Sequence, residues 1–200
     1  MREPVLDGVG TAVSTQVGVR IAGRGGQGVM LAGLLVAQSA IDDGLEVVQT
    51  QSYGPEARLG AAKSDVILSP EAIAYPEISS PDVFMCLSHD AFTAYSRDVT
   101  AATLLIVDSR AAAGLGVGEA LLVPMIDTAR DCGSPIAANI VGLGFLLAVT
   151  RVVSERSLRR ALSARARPES LDTNMRALDA GLALAAEMGV QPGQLSPAGR

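Results

Sequence analysis

A glycine-rich segment near the start of the chain carries the residues best suited to chemistry. It reads GRGGQG, which fits G-x-G-x-x-G, and it stands between a β-branched run, Val17–Ala22, and a predicted helix, Val29–Ile41. Glycines in such a turn allow positive φ angles and let the backbone approach a ligand closely. The N–H groups and the dipole at the start of the helix favour an anion. The candidate cofactor- or anion-binding residues are therefore Gly23, Arg24, Gly25, Gly26, Gln27 and Gly28.

The same pattern is the fingerprint of dinucleotide-binding domains. Such domains place an acidic residue at the end of the second strand, where it binds the ribose. The predicted second strand, Glu46–Thr50, is followed by Gln51 and has no acidic residue at its end, because Asp42 and Asp43 precede it. No arginine stands there to accept a 2′-phosphate. A nicotinamide site is therefore disfavoured, which leaves an anion site or a tight strand–helix turn that binds no ligand.

A second group of candidates follows the second strand. Residues Gln51–Lys63 show no periodicity and predict a long loop at the edge of the sheet where α/β proteins bind ligands. These residues either contact a ligand or dock another subunit, with Glu56 and Arg58 paired to each other or to that subunit. The residues of this candidate interface or ligand loop are Ser52, Tyr53, Gly54, Pro55, Glu56 and Arg58.

Two more polar residues belong to the same candidate region. His89 ends the predicted fourth strand and is either a hydrogen-bonding or capping residue or a catalytic base, with Ser88 and Asp90 as alternative caps. Asn139 lies in an apolar predicted helix and needs a partner if it is buried. That partner is a ligand, a neighbouring chain or another group of the core.

The elements that must position these residues alternate between strand and helix. This order predicts an α/β fold, a three-layer α/β/α sandwich on a mostly parallel, Rossmann-like sheet, with room for an antiparallel edge strand. We expect a single domain over residues 17–190, between flexible tails at 1–16 and 191–200. Predicted strands are Val17–Ala22, Glu46–Thr50, Asp65–Leu68, Val83–Leu87, Leu104–Val107 and Ala120–Val123. Predicted helices are Val29–Ile41 with Gly44 as its cap, Ala91–Tyr95, Ile136–Val153, Glu155–Ala164 and Ser170–Met188.

Composition disfavours several classes of function. A net charge of −5, an aromatic content of 3% and the absence of Trp disfavour nucleic-acid binding. Two cysteines, Cys86 and Cys132, and one histidine cannot supply the four ligands of an iron–sulfur or structural zinc site. The first residues lack the apolar core of a secretory signal, and Gly133–Thr150 predicts a buried helix or subunit interface rather than a membrane span. We therefore expect a cytoplasmic protein whose partners are not membranes.

Two separated motifs carry a resemblance to a known family. GRGGQGV at Gly23–Val29, together with SYGPEARLGAAKSDVILS at Ser52–Ser69, resembles the gamma subunits of 2-oxoacid:ferredoxin oxidoreductases, a domain also fused within single-chain pyruvate:ferredoxin oxidoreductases. The resemblance runs from Val17 to Gly189, and the chain departs from it at Leu59, where the family usually has glycine. Further matching motifs are Tyr75-Pro76, Pro81-Asp82, Val107-Asp108-Ser109, Asn139 to Gly144, and Asn174 with Gly181.

The resemblance implies a specific role. Enzymes of this family oxidise a 2-oxoacid on thiamine diphosphate with Mg²⁺, pass electrons through [4Fe-4S] clusters to ferredoxin, and release an acyl-CoA. Those cofactors belong to alpha- and beta-type subunits and to a ferredoxin-like delta subunit. The chain is then a non-redox gamma subunit, inactive alone, with no catalytic or metal-binding residue of its own and with CoA as a candidate contact of its turn. A separate chain of this kind suits 2-oxoglutarate first, then pyruvate, branched-chain oxoacids and indolepyruvate. The alternative is a free-standing, Rossmann-type nucleotide-binding oxidoreductase domain.

Overall fold

The computed structural model describes residues 13–53, 60–116 and 118–190, which form one six-stranded sheet with helices on both faces. The strands are β1 (Val17–Arg24), β2 (Glu46–Tyr53), β3 (Ala61–Ser69), β4 (Val83–Cys86), β5 (Leu104–Asp108) and β6 (Leu121–Val123). The helices are α1 (Val29–Asp42), α2 (His89–Tyr95), α3 (Met125–Asp131), α4 (Ala138–Thr150), α5 (Glu155–Arg165) and α6 (Pro168–Glu187).

The sheet is mostly parallel, and its strand order is β2-β3-β1-β4-β5-β6. β1, β4, β5 and β6 pair in parallel, whereas β3 is antiparallel to both β1 and β2. The predicted α/β class is confirmed. The antiparallel strand, however, is internal and not at the edge, because β3 inserts between the first two strands.

The layers on the two sides of the sheet differ in thickness. Val17, Val19 and Ile21 of β1 point into a large core with α1, α3, α4, α5 and α6. On the other side of β1, Ala22 packs with Phe84 in a smaller core under α2. Continuous apolar runs in β1, β4 and β5 are typical of strands buried on both faces, which is why the sequence predicts them well.

The predicted loop over 51–63 is too long. β2 continues to Tyr53 and β3 begins at Ala61, so the two strands pair over eight residues from Glu46↔Ser69 to Tyr53↔Ala62. β2 is an edge strand, where polar residues such as Gln51 are tolerated because one side of the strand stays in contact with water. The run from Ala61 to Ser64 has little strand propensity of its own, and pairing with strands on both sides overrides it.

Other boundaries also differ from the predictions. α3 was not predicted, and the long predicted helix Ile136–Val153 is a short 3₁₀ turn, Pro135–Ala137, followed by α4. α4 ends early because Arg151 adopts a left-handed φ of 54°. Nearly every residue of α4 is buried, as predicted for this uncharged stretch. Among the described residues, no helix is both long enough and apolar enough to cross a membrane.

Close contact between α4 and α6 depends on two glycines. A Cβ atom at Gly181 would overlap the carbonyl oxygen of Val141, and a Cβ atom at Gly144 would overlap that of Leu178. The two helix backbones therefore touch directly at this crossing. Both glycines belong to motifs that carried the family resemblance, and their structural reason is this close approach.

A buried ionic cluster lies under α2. Arg20 of β1 is 1% exposed, and its Nε and Nη2 donate to the two carboxylate oxygens of Asp65 on β3 at 2.8 and 3.1 Å. Its remaining N–H groups reach Asp98 and the carbonyls of Tyr95 and Ile78. Lys63 donates to Asp65 from the solvent side at 2.7 Å. This cluster joins the antiparallel strand to the centre of the sheet.

Candidate functional site

The glycine-rich turn lies at the carboxyl edge of the sheet, between β1 and β4. β1 is followed by α1 and then by strands on one side of it, whereas β4 and the later strands lie on the other side. Such a switch point in strand order leaves a crevice at the carboxyl ends of the strands, and open α/β sheets bind ligands there. The turn therefore occupies the position in the fold where a ligand site is expected.

The geometry of the turn requires glycine at two positions. Gly26 has φ 93° and is exposed, and Gly28 has φ 69° as the residue that precedes α1. The first bonded amide of α1 is that of Ala32, which donates to the Gly28 carbonyl at 2.9 Å. No side chain in the described part of the chain caps this helix. The amides of its first turn are consequently available to an anion.

Gln27 braces the turn instead of projecting from it. Its Oε1 accepts from the Arg24 backbone N–H at 2.6 Å, and its Nε2 donates to the Leu87 carbonyl at 3.2 Å. Gly23 lies beneath this side chain, where a Cβ atom would stand 2.9 Å from Gln27 Oε1 and from Val29 Cγ2. These two motif residues therefore hold the turn against the end of β4, and the exposed positions are Arg24 and Gly26.

Arg24 is the charged residue of the motif, and its side chain is exposed to solvent. Its Nη2 donates to Asp90 Oδ2 at 2.5 Å, and both side chains are about half exposed. The hydrogen bond from Arg24 lowers the pKa of the Asp90 carboxyl below its usual range. This pair favours the folded state above the ordinary carboxyl pKa, and the contribution is lost as the pH falls through the lowered value. The sequence predicts Asp90 only as an alternative helix cap, and its local pattern carries no signal for this ion pair.

Of the three residues that could cap the start of α2, Ser88, His89 and Asp90, the cap is Ser88. Its hydroxyl oxygen accepts from the Ala91 backbone N–H at 3.3 Å, so Ser88 is the N-cap. His89 begins the helix with a side chain that is 54% exposed, and its Nδ1 lies 3.8 Å from Asp90 Oδ1. His89 thus stands at the rim of the crevice beside the ion pair of Arg24 and Asp90.

The second motif meets the first at the same edge. Ala62 is paired with Tyr53 on one side and with Gly23 on the other, so the end of β2 lies level with the turn. The Gly25 amide donates to the Gly60 carbonyl at 3.0 Å, and Ser52 pairs with Lys63. The candidates Gly54, Pro55, Glu56 and Arg58, together with Leu59, lie outside the described residues.

The order of the strands gives a second reason against a nicotinamide site. In dinucleotide-binding domains the second strand is a neighbour of the first, which places its acidic residue beside the ribose. Here β3 separates β2 from β1. Asp43, which precedes β2, instead accepts hydrogen bonds from Ser154 and Ser157 at the start of α5.

Asn139 is brought to the turn from a distant part of the sequence. It lies in the first turn of α4, is 3% exposed, and its Nδ2 donates to the Gly28 carbonyl at 3.0 Å. The sequence left three kinds of partner open for Asn139: a ligand, a neighbouring chain or a group of the core. Among the described residues, its partner is a core group, the backbone carbonyl of Gly28. Motif spacing carries no signal for this contact, because the two residues are 111 positions apart.

Other motif residues serve the framework. Asp108 is fully buried and accepts from the amides of Arg110 and Ile126, which caps α3 from the end of β5. Asp82 accepts from the Gly18 amide at 2.7 Å. Burial raises the pKa of the Cys86 thiol to about 12, so this residue is the unreactive core thiol that its apolar strand predicts.

Comparison with known proteins identifies the family. The model of the pyruvate ferredoxin/flavodoxin oxidoreductase family matches residues 18–184. The chain belongs to this family. A 2-oxoglutarate synthase subunit KorC from Methanothermobacter marburgensis is 40% identical over 179 residues, which cover 84% of this chain and 96% of the relative. The resemblance that the two motifs carry is thereby confirmed over most of this oxidoreductase chain.

Two solved structures share the fold of this oxidoreductase family member. The gamma subunit of a keto/oxoacid ferredoxin oxidoreductase from Geobacter sulfurreducens is 38% identical, with a TM-score of 0.75 over 86% of this chain and 99% of that one. A 2-oxoglutarate:ferredoxin oxidoreductase from Magnetococcus marinus, with 2-oxoglutarate, coenzyme A and succinyl-CoA bound, is 26% identical, with a TM-score of 0.75 over 87% of this chain and 32% of that one. The same domain therefore occurs both as a separate subunit and as part of a longer chain.

Proposed function

We propose that this chain is the gamma subunit of a 2-oxoacid:ferredoxin oxidoreductase, with 2-oxoglutarate as the oxoacid. The observation that carries the proposal is the match to 2-oxoglutarate synthase KorC, which extends over 96% of that subunit. The gamma subunit from Geobacter sulfurreducens, of which this chain covers 99%, supports the same assignment. The complete enzyme converts a 2-oxoacid, CoA and oxidised ferredoxin into an acyl-CoA, CO₂ and reduced ferredoxin.

The redox cofactors of the reaction belong, in this proposal, to other subunits. An iron–sulfur cluster needs about four thiolate ligands, and the whole sequence holds two cysteines, one of them buried with a raised pKa. The described residues contain no group of three or more His, Cys, Asp or Glu side chains that could hold a metal ion. We assign thiamine diphosphate, Mg²⁺ and the [4Fe-4S] clusters to alpha-, beta- and delta-type partners in the cytoplasm, and to this chain the completion of their assembly.

Reconstitution tests the assignment. We expect this chain to co-purify with alpha- and beta-type subunits and to be inactive without them. The assembled enzyme should reduce ferredoxin with 2-oxoglutarate at least about tenfold more efficiently than with pyruvate, branched-chain oxoacids or indolepyruvate, because one mismatched group in a binding pocket costs 1–3 kcal/mol. A lone chain that binds NAD(H) would contradict the proposal and favour the free-standing oxidoreductase domain.

Within the complex, we propose that the turn and Arg24 contact CoA. CoA carries a pyrophosphate and a 3′-phosphate, and the turn offers uncapped helix amides beside an exposed guanidinium. Asp90 competes for Arg24 in the free turn, so phosphate binding would release this carboxylate.

Two substitutions that should change the KM for CoA in opposite directions test the CoA contact. We expect Arg24→Gln to raise the KM for CoA about threefold, in line with the small free energies of exposed charge pairs, and Asp90→Asn to lower it by a similar factor. The kcat at saturating CoA should be unchanged in both. Arg130→Gln is the matched control, because Arg130 has the same side-chain exposure of 53% as Arg24 and also pairs with an aspartate. A KM for CoA that is identical in all three variants would contradict the contact.

A further inference from the structure

Two carboxamide side chains hold the glycine turn from opposite sides. Gln27 attaches it to the end of β4 through the Leu87 carbonyl, and Asn139 attaches it to α4 through the Gly28 carbonyl. Gln27 lies within the turn and makes one local bond, from the Arg24 amide, and one bond to the residue that follows β4. Asn139 instead joins the turn to a separate helix, which makes it the residue that fixes where the turn lies relative to the core.

The contact between Asn139 and Gly28 is tight. Gly28 has left-handed backbone angles, φ 69° and ψ 25°, and a Cβ atom there would overlap Asn139 Nδ2. The Gly28 carbonyl accepts two hydrogen bonds, one from Asn139 Nδ2 at 3.0 Å and one from the Ala32 amide at 2.9 Å. The second of these is the first hydrogen bond of α1. Asn139 therefore acts on the atom from which the helix begins.

We infer that Asn139 is a positioning residue that orders the first turn of α1 and so presents its free amides in a fixed geometry. Asn139 acts through the Gly28 carbonyl and not by contact with a ligand. Binding sites work best when their donors are held in place before the ligand arrives, because less conformational freedom is then lost on binding. The consequence for CoA rests on the proposed contact between CoA and the turn.

The substitution Asn139→Leu isolates this role. Leucine keeps the branched shape of asparagine and removes the hydrogen bond, at the cost of a small local shift because a methyl group is larger than the amide nitrogen that lies 3.0 Å from the Gly28 carbonyl. Asn139→Ala, which removes the same bond without adding volume, is measured beside it. The Gly28 carbonyl retains its bond from Ala32, so no buried acceptor is left without a partner. We expect the thermal midpoint of the full chain to fall by no more than about 4 °C, the shift that the loss of one hydrogen bond causes in a chain of this size, whereas a loss of core packing would lower it further.

The first measurement is amide hydrogen exchange in the assembled enzyme. We expect exchange at Ala32 and Gly33 to become about tenfold faster in Asn139→Leu, the factor that corresponds to the loss of one ordinary net hydrogen bond. The buried amides of Ala177 and Leu178 in α6 serve as the internal control and should be unchanged. Unchanged exchange at Ala32 overturns the inference, whatever happens to the kinetics.

A double-mutant cycle tests the same contact without CoA. Gly28→Ala introduces the overlapping Cβ atom, and Asn139→Ala removes the side chain that it would overlap. We expect the effect of Gly28→Ala on exchange at Ala32 to be several-fold smaller in the Asn139→Ala background, because contacting residues are not additive. Additive effects would mean that the two residues act separately, which overturns the inference.

Kinetics then separate this inference from the proposed function. If both the positioning role of Asn139 and the CoA contact hold, Asn139→Leu raises the KM for CoA about tenfold at constant kcat. The reason is that CoA binding must then supply the free energy that orders the turn, which the hydrogen bond from Asn139 otherwise provides. Faster exchange at Ala32 with an unchanged KM for CoA supports the positioning of the turn and overturns the assignment of CoA to it.

Discussion

Gly181→Ala is expected to destabilise the chain by about 3 kcal/mol or more, the upper part of the range for overpacked sites. Alanine is about 1 kcal/mol better than glycine inside a helix, so propensity alone predicts a gain. The new Cβ atom, however, would overlap the Val141 carbonyl of α4, and a backbone atom cannot rotate away as a side chain can. The helices must separate, which exposes the large core. Thermal and denaturant unfolding of the full chain measure the loss.

A matched glycine substitution makes this result interpretable. Gly116 is exposed, and a Cβ atom there would lie within 4 Å of no atom of the other described residues, its chain neighbours aside. Gly116→Ala should therefore leave the unfolding midpoint within the small range of ordinary surface changes. Gly144→Ala should resemble Gly181→Ala, because its Cβ atom meets Leu178 on the other helix of the same crossing. If Gly181→Ala were as stable as the parent chain, the direct backbone contact between α4 and α6 would be wrong.

Asp65→Asn is expected to cost about 3 kcal/mol of folding free energy, because it leaves a buried arginine with only its half-exposed charge partner, Asp98. Arg20 is 1% exposed, and it makes both of its shortest hydrogen bonds to Asp65. Asparagine preserves the size of the side chain, so the loss reports charge and hydrogen bonding and not a cavity. Denaturant unfolding is the appropriate measurement.

Two companion variants identify the cause. Asp98→Asn removes the half-exposed partner of Arg20, bonded at 3.2 Å, and should cost no more than about 1 kcal/mol. The double substitution Arg20→Met with Asp65→Leu removes both buried charges and should recover most of the stability, since apolar replacements of buried ion pairs are often neutral or better. A double variant as unstable as Asp65→Asn would show that the loss comes from packing.

The elements that can be predicted from the sequence are those whose residue pattern depends only on neighbouring residues in the chain. Val17–Ala22 and Leu104–Val107 read as buried strands because parallel strands covered on both faces are continuously apolar. The turn is recognisable because its glycines follow a strand and precede a helix. The strands flanking residues 54–59 were less visible, because polar residues of an edge strand resemble those of a loop. Ala61 and Lys63 gain their strand conformation from pairing, which no short window of sequence records.

The connections within the site were not predictable from patterns. Asn139 and Gly28 meet because α4 begins beside the turn, and Arg24 meets Asp90 because β1 and β4 are neighbours. The second contact follows from strand order and the first from the position of α4 against the sheet, and local sequence patterns predict neither. Arg20 illustrates a different difficulty, because a charged residue is rarely buried in an apolar strand. Its burial depends on hydrogen bonds to Asp65, Asp98 and two backbone carbonyls, all of them distant in the sequence.

The insertion of β3 between β1 and β2 also determines the order in which the sheet can assemble. β1 and β2 leave the ribosome before β3, yet they share no hydrogen bonds, and each pairs with β3 along its whole length. The centre of the sheet must therefore wait until Ser69 has been synthesised, while α1 can only hold the two strands near each other. Because these pairings join residues up to about fifty positions apart, we expect slow folding and a dependence on α1 as the early scaffold.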